Sequence, residues 1–141
     1  MTNDKGTGMI GGLHHVAMRV ADFDASVRFY TETLGFRETL KWGEGDKRAI
    51  MLDMGDGARL ELFAGGDEGP KPKGAILHFA LKTNDVDAVI ERVRAAGAQV
   101  TVEPKNVDIK SDPPTPVRLA FFKGHDGEII ELMAQRTAAA G

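Results

Sequence analysis

Four residues pair metal-binding chemistry with an awkward setting: His15 in "HHVAMRV", Glu61 in "RLELF", His78 in "ILHFAL" and Glu131 in "EIIELM". Each interrupts an apolar run with strand-like alternation. A carboxylate in such a run is expensive to bury unless something pairs with it. The sequence does this twice, in "DGARLELF" from Asp56 and "DGEIIELM" from Asp126. Two imidazoles and two carboxylates balance the charge of a divalent cation. They also leave positions on an octahedral ion open to water or substrate, the mark of a catalytic rather than a structural site. The chain has no cysteine, so thiolate ligands and disulfides are excluded. Zinc, nickel, cobalt, manganese and non-haem iron are the ions suited to such donors, with zinc or nickel foremost.

Singly, each residue has an ordinary explanation. A histidine in an apolar strand is more often a satisfied core or surface residue than a ligand, and a glutamate in a strand more often lies on an exposed edge. The weighing changes because the four occupy matching places in an internal repeat. "HVAMRVADFDASVRFYTETLGF" from His15 lies over "HFALKTNDVDAVIERVRAAGA" from His78. The overlay sets Ala17 on Ala80, Asp22 on Asp85, Asp24 on Asp87, Ala25 on Ala88 and, after one deletion, Gly35 on Gly97. Further along, Asp56-Gly57 falls on Asp126-Gly127 and Glu61 on Glu131. Each copy supplies one His from its first strand and one Glu from its last.

The elements that must position these residues follow from local signals. Asp22 and Asp85 are expected helix N-caps, with Asp24 and Asp87 favourable to the first-turn dipole. Phe23, Val27, Tyr30 and Leu34 make one apolar stripe, as do Val86, Val89, Ile90 and Val93. Gly35 and Gly97 are natural left-handed stops. Strands are expected near 36–42, 48–54 and 58–64, then near 98–103, 107–110, 117–123 and 127–133. The class is therefore α+β: two tandem βαβββ modules, 10–66 and 74–134, with tails at 1–9 and 135–141. They should form a curved, cup-like mixed sheet with the helices on its outer face.

Side chains alternate across a strand, so parity assigns each residue a face. Val16, Met18 and Val20 oppose His15, Ala17 and Arg19. Leu60 and Leu62 oppose Arg59, Glu61 and Phe63. Leu77, Phe79 and Leu81 oppose His78 and Ala80, and Ile130 and Leu132 oppose Glu131 and Met133. All four metal-binding candidates point away from the face expected to pack under the helices. Phe63 and Met133 share their parity and suit either an apolar pocket or core packing. His14 has the opposite parity and is expected to pack or hydrogen-bond, while His125 in "KGHDGE" reads as a solvated loop residue. The loops "GEGDK", "GGDEGPKPK" and "PKNVDIKSDPPTP" are candidates to border the cup.

Composition sets the outer bounds. The 141 residues suit one domain or two intimately packed halves, and 42% hydrophobic with 28% charged residues is usual for a soluble globular protein. A net charge of −3 gives no reason to expect nucleic acid or an anionic membrane as partner. "MTNDKGTGMIGG" lacks the apolar core of a signal peptide and no run is long enough to span a bilayer. The expectation is a cytoplasmic protein acting on a small molecule, with "RTAAAG" a free tail.

"LHHVAMRVADFDASVRFYTETLGF", with its Phe29-Tyr30 pair and Leu34-Gly35-Phe36 ending, resembles the opening of the vicinal-oxygen-chelate superfamily. "RLELF", "ILHFAL" and "HDGEIIELM" resemble its later ligand strands. The resemblance covers residues 10 to 134 and is nearest to the glyoxalase I (lactoylglutathione lyase) branch. It implies a lyase or isomerase with His15, Glu61, His78 and Glu131 as ligands of one divalent ion. An α-ketoaldehyde thiohemiacetal would be converted through a metal-stabilised enediolate. Glu131 would be the base and Glu61 a ligand able to act on the opposite face. Glutathione or another thiol would be the co-substrate, with Arg19 matching a carboxylate-binding arginine of that branch. Where those enzymes carry a glutathione-binding asparagine, four residues after the first Glu, this chain has Gly65. Members often dimerise, completing the cup with halves of two chains, so a homodimer is expected. The alternatives are a metal-dependent epimerase, an Fe(II) extradiol-type dioxygenase and a metal-free small-molecule-binding resistance module.

Overall fold

The computed structural model describes residues 13–68, 76–111 and 113–137. The first module runs β1 (His15–Arg19), α1 (Phe23–Arg28), β2 (Arg37–Trp42), β3 (Ala49–Asp53) and β4 (Arg59–Phe63). The second runs β5 (Phe79–Lys82), α2 (Val86–Ala95), β6 (Gln99–Ile109), β7 (Thr115–Lys123) and β8 (Ile129–Gln135). Each module folds into its own four-stranded curved sheet, ordered β1-β4-β3-β2 and β5-β8-β7-β6. In both, the first strand pairs parallel to the last and the other pairings are antiparallel. The same topology twice is what the sequence repeat implies.

The helix signals act as elementary chemistry requires. Asp22 and Asp85 accept hydrogen bonds at 3.0 Å from the N–H groups of Ala25 and Ala88. They thereby satisfy donors that the helix itself leaves unpaired. Gly35 and Gly97 take φ of 80° and 90° to end the helical segments. After Arg28 the first helix widens into a π-helical turn over Phe29–Thr33, closed by the Leu34 N–H donating to the Phe29 carbonyl at 3.1 Å. The apolar stripe does not foretell this turn. Its effect is to bury both adjacent rings, Phe29 and Tyr30, whereas Phe23, Val27 and Leu34 are only partly buried against the core.

Helix α1 packs on β4, and α2 packs across β6, β7 and β8. Parity places the core correctly: Val20, Leu60, Leu62, Ile130 and Leu132 are buried in one cluster that draws on both modules. Leu77 departs from it, being 73% exposed and lying ahead of β5. The segment "PKNVDIKSDPPTP" also departs from expectation. Its first six residues are strand and not loop, because β6 absorbs both strand candidates after α2 and continues to Ile109. Pro104 is accommodated where the β6–β7 register shifts between Val102 and Lys105, a bulge on an edge strand where a missing N–H costs little. Nor is Arg136 part of a free tail, since it reaches Asp108 at 3.2 Å. Tail 1–9, the start of the second module at 74–75, most of "GGDEGPKPK" and the end of "RTAAAG" lie outside the described residues.

A polar pin joins the modules. The Tyr30 hydroxyl donates to Glu128 Oε2 at 2.6 Å, and Glu128 Oε1 accepts from the Asp126 N–H at 2.9 Å. Asp126 Oδ1 in turn accepts from the Ala21 N–H at 2.8 Å. Burial pushes the Tyr30 phenol well above its ordinary pKa, with Glu128 beside it adding to the rise. Burial also raises Glu128, against the downward pull of the Tyr30 hydroxyl. The pin breaks the repeat's symmetry, because Tyr30 corresponds to Val93 and Glu128 to Ala58. His125, exposed as expected, sets its ring edge-on to Phe29 at 5.6 Å. Among the described residues, no helix is long and apolar enough to cross a membrane.

Candidate metal centre

Each glutamate sits in the middle of its sheet, flanked in register by an alanine of the parallel first strand: Glu61 by Ala17 and Glu131 by Ala80. An alanine there leaves room for the imidazole of the residue two before it to lean over the carboxylate. His15 Nε2 lies 3.3 Å from Glu61 Oε1, and His78 Nε2 lies 3.0 Å from Glu131 Oε1. The carboxylates are buried and the imidazoles about one-third exposed, 37% and 36% by side chain. His78 lies one residue ahead of β5 rather than within it, yet meets its glutamate as His15 does.

Neighbours fix both imidazoles. His14 Nδ1 lies 2.9 Å from His15 Nδ1, which leaves Nε2 of His15 turned to Glu61. The Phe121 ring stands perpendicular to the His78 ring at 5.3 Å, and Phe121 is the register partner of Glu131. His14 hydrogen-bonds as expected, though its partner His15 was not foreseen, and Phe121 was not singled out. The signal for Phe121 was available in its parity, once β7 is laid beside β8. Arg19 lies on the Glu61 face as expected. It donates from Nη1 to the Ala64 carbonyl at 2.9 Å and holds its guanidinium 5.5 Å above the Phe63 ring.

The donors fit a divalent ion in type and spacing. Nitrogen and oxygen ligands about 2.0–2.2 Å from one cation stand about 3.0–3.4 Å apart at octahedral or tetrahedral angles. Both His–Glu separations match that, a spacing that a hydrogen bond also satisfies. The four residues are not gathered together within one chain. They fall into two pairs on two separate sheets, and among the described residues no three His, Asp or Glu lie close enough to hold a metal. One chain therefore carries two matching His–Glu pairs, one on each sheet.

Residues 12–132, which take in both βαβββ modules, match a single family model. The chain belongs to the Glyoxalase/Bleomycin resistance protein/Dioxygenase superfamily. It is 32% identical over 138 residues to a probable lactoylglutathione lyase of Vibrio parahaemolyticus, covering 93% of this chain and 96% of that one. It is also 32% identical over 133 residues to a lactoylglutathione lyase of Haemophilus influenzae, covering 90% and 95% respectively. Among solved structures, TnmS3, an antibiotic binding protein from Streptomyces sp. CB03234, superimposes with a TM-score of 0.70 at 27% identity. That match covers 91% of this chain and 98% of the other.

Proposed function

We propose that this chain is a metal-dependent lyase/isomerase of the glyoxalase I type, acting on the thiohemiacetal of an α-ketoaldehyde. The observation that carries the reading is the pair of like-built His–Glu half-sites, each too small to be a centre alone. A second copy of the chain completes them: His15 and Glu61 of one protomer face His78 and Glu131 of its partner, so a homodimer has two centres. A divalent ion held by these four groups supplies Lewis-acid charge that stabilises the anion formed when the substrate loses a carbon-bound proton.

The chain's own residues perform the proton transfer. Glu131 takes the proton from the thiol-bearing carbon next to the carbonyl and returns it to the former carbonyl carbon, while the hydroxyl proton passes from the first oxygen to the second, giving the isomeric thioester of an α-hydroxy acid. Its burial beside the Phe121 ring limits the water that would exchange that proton away. Glu61 completes the ligand set and can act on the opposite face of the substrate. On this reading Arg19 meets a carboxylate of the thiol, as the resemblance implies. Gly65 supplies no side chain where an asparagine would assist, so the thiol is glutathione or another thiol that does without that contact.

The test is an assay of metal-reconstituted protein with methylglyoxal and a panel of thiols, following loss of the hemithioacetal. Turnover that requires metal and depends on the thiol supports the reading; its absence with every metal and thiol refutes it. A second reading, metal-free capture of a small molecule, draws on the likeness to the antibiotic binding protein. A stoichiometric divalent ion in the purified dimer excludes it.

A further inference from the structure

The His14-His15 doublet has no counterpart in the second module. There the repeat sets Leu77 against His14, and the His78 ring packs edge-on against Phe121 instead. His14 stands one residue ahead of β1, so its side chain is not held to the alternation that separates neighbours within a strand. Its carbonyl accepts from the Arg59 N–H at 3.1 Å, which ties its main chain to the start of β4. Its ring turns back to stand edge-on to His15, with centroids 5.1 Å apart, planes at 80° and the two Nδ1 atoms 2.9 Å apart. At the far side of the His15 ring, Nε2 faces Glu61 Oε1 at 3.3 Å. Glu61, His15 and His14 thus form one line of polar contacts, from a buried carboxylate to an exposed imidazole.

A neutral imidazole carries one N–H and one lone pair, so a contact between two Nδ1 atoms makes one ring the donor and the other the acceptor. While His15 Nε2–H donates to the Glu61 carboxylate, His15 Nδ1 is a lone pair and His14 must donate to it. When His15 gives its Nε2 lone pair to a cation, its hydrogen sits on Nδ1 and His14 must accept. We infer that His14 and His15 form a tautomer relay, in which His14 is a positioning residue that exchanges donor for acceptor as His15 becomes a metal ligand. The protons balance. The His14 Nδ1 proton passes to His15 Nδ1 along the 2.9 Å contact, the His15 Nε2 proton leaves to water, and the exposed His14 takes one from water at its own Nε2. A partner on the outer nitrogen fixes the orientation of a metal-bound imidazole and raises its basicity. The relay rests on the metal-dependent reading proposed above.

Nitrogen–hydrogen correlation NMR of the full-length protein, recorded at mildly alkaline pH before and after addition of Zn2+, reports which nitrogen of each ring carries hydrogen. The chain has four histidines, few enough to assign by substitution. Without zinc the hydrogen should sit on Nε2 of His15 and Nδ1 of His14; with zinc the two should be reversed. Either ring keeping its tautomer on addition of zinc overturns the relay. Two variants separate hydrogen-bond acceptance from packing. His14→Leu keeps the bulk without an acceptor and should weaken zinc binding about tenfold, the scale on which such partners act, measured by competition with a chromophoric chelator. His14→Asn sets an amide oxygen where Nδ1 lies and should restore most of the affinity. A leucine variant that binds zinc as tightly as wild type, or an asparagine variant as weak as the leucine one, also overturns the relay. Zinc-driven exchange of tautomers in a protein that turns over no hemithioacetal keeps the relay and removes the proposed reaction. Turnover with unmoved tautomers keeps the reaction and removes the relay.

Discussion

Replacing Tyr30 with Phe would delete one oxygen and leave the packing almost as it is. The ring would keep its stack on Phe36, centroids 5.5 Å apart, and its edge contact with Phe29 at 5.4 Å. No cavity opens, so the change isolates the 2.6 Å hydrogen bond to Glu128. While Glu128 is ionised that bond is charge-assisted, a class worth about 1.5–3 kcal/mol. The sign with pH follows from the shift. Burial raises Glu128 above its unfolded value near 4.5, and the Tyr30 hydroxyl opposes the rise, so removing the hydroxyl raises it further. A raised carboxyl holds its proton in the folded state when the unfolded chain has released it. Its contribution is therefore complete below about pH 4.5 and lost as pH climbs through the folded value. The Tyr30→Phe deficit should be about 2 kcal/mol at pH 8 and should shrink towards pH 4.5, where a neutral Glu128 depends less on the missing donor. Urea unfolding followed by circular dichroism at pH 8, 6 and 4.5, at one fixed protomer concentration, measures it. A deficit that is the same at all three values refutes the reasoning. So does one within about 0.5 kcal/mol throughout, the range of ordinary surface substitutions.

Other outcomes follow from the same structure. Tyr30 is the chain's sole tyrosine and burial holds its phenol above 10, so phenolate absorbance should appear only together with alkaline unfolding; a separate titration near pH 10 would contradict the buried pin. Glu131→Gln should abolish turnover while the metal, counted by elemental analysis, is largely retained; full activity would remove Glu131 from the mechanism. Mixing a chain lacking His15 and Glu61 with one lacking His78 and Glu131 should restore about a quarter of wild-type activity, since half the dimers then hold one intact centre. No recovery after subunit exchange would place both half-sites outside a shared centre. Asp22→Ala should cost about 1 kcal/mol in the unfolding free energy through loss of its bond to the Ala25 N–H, and a variant as stable as wild type would show that the cap is idle.

What the sequence conveys and what it withholds divide along physical lines. Strand parity and the repeat needed only local alternation, and they located the buried leucines of β4 and β8 and paired each histidine with the correct glutamate. Capping by Asp22 and Asp85 was equally legible, because a cap and its recipient N–H are three residues apart. The π-helical turn at Phe29–Thr33 was not, since an apolar stripe does not distinguish α from π winding, and Tyr30 within it pairs with Glu128, a residue 98 positions away. Pro104 suggested a loop because the bulge that accommodates it depends on the partner strand β7. That the two His–Glu pairs stay apart within one chain was likewise hidden. Parity says which face a side chain takes, while the angle between two sheets is fixed by contacts such as the Asp126–Ala21 bond.

That angle has a consequence for assembly. On the proposed reading each chain is a bifunctional monomer, with one complementary half at either end, and such monomers form open chains unless their geometry closes the ring early. The Tyr30–Glu128–Asp126 pin ties the two modules together, and on that reading closure at two subunits would depend on how firmly it holds them. Loosening it would convert discrete pairs into longer oligomers, with every centre still filled and the length of the chain no longer specified.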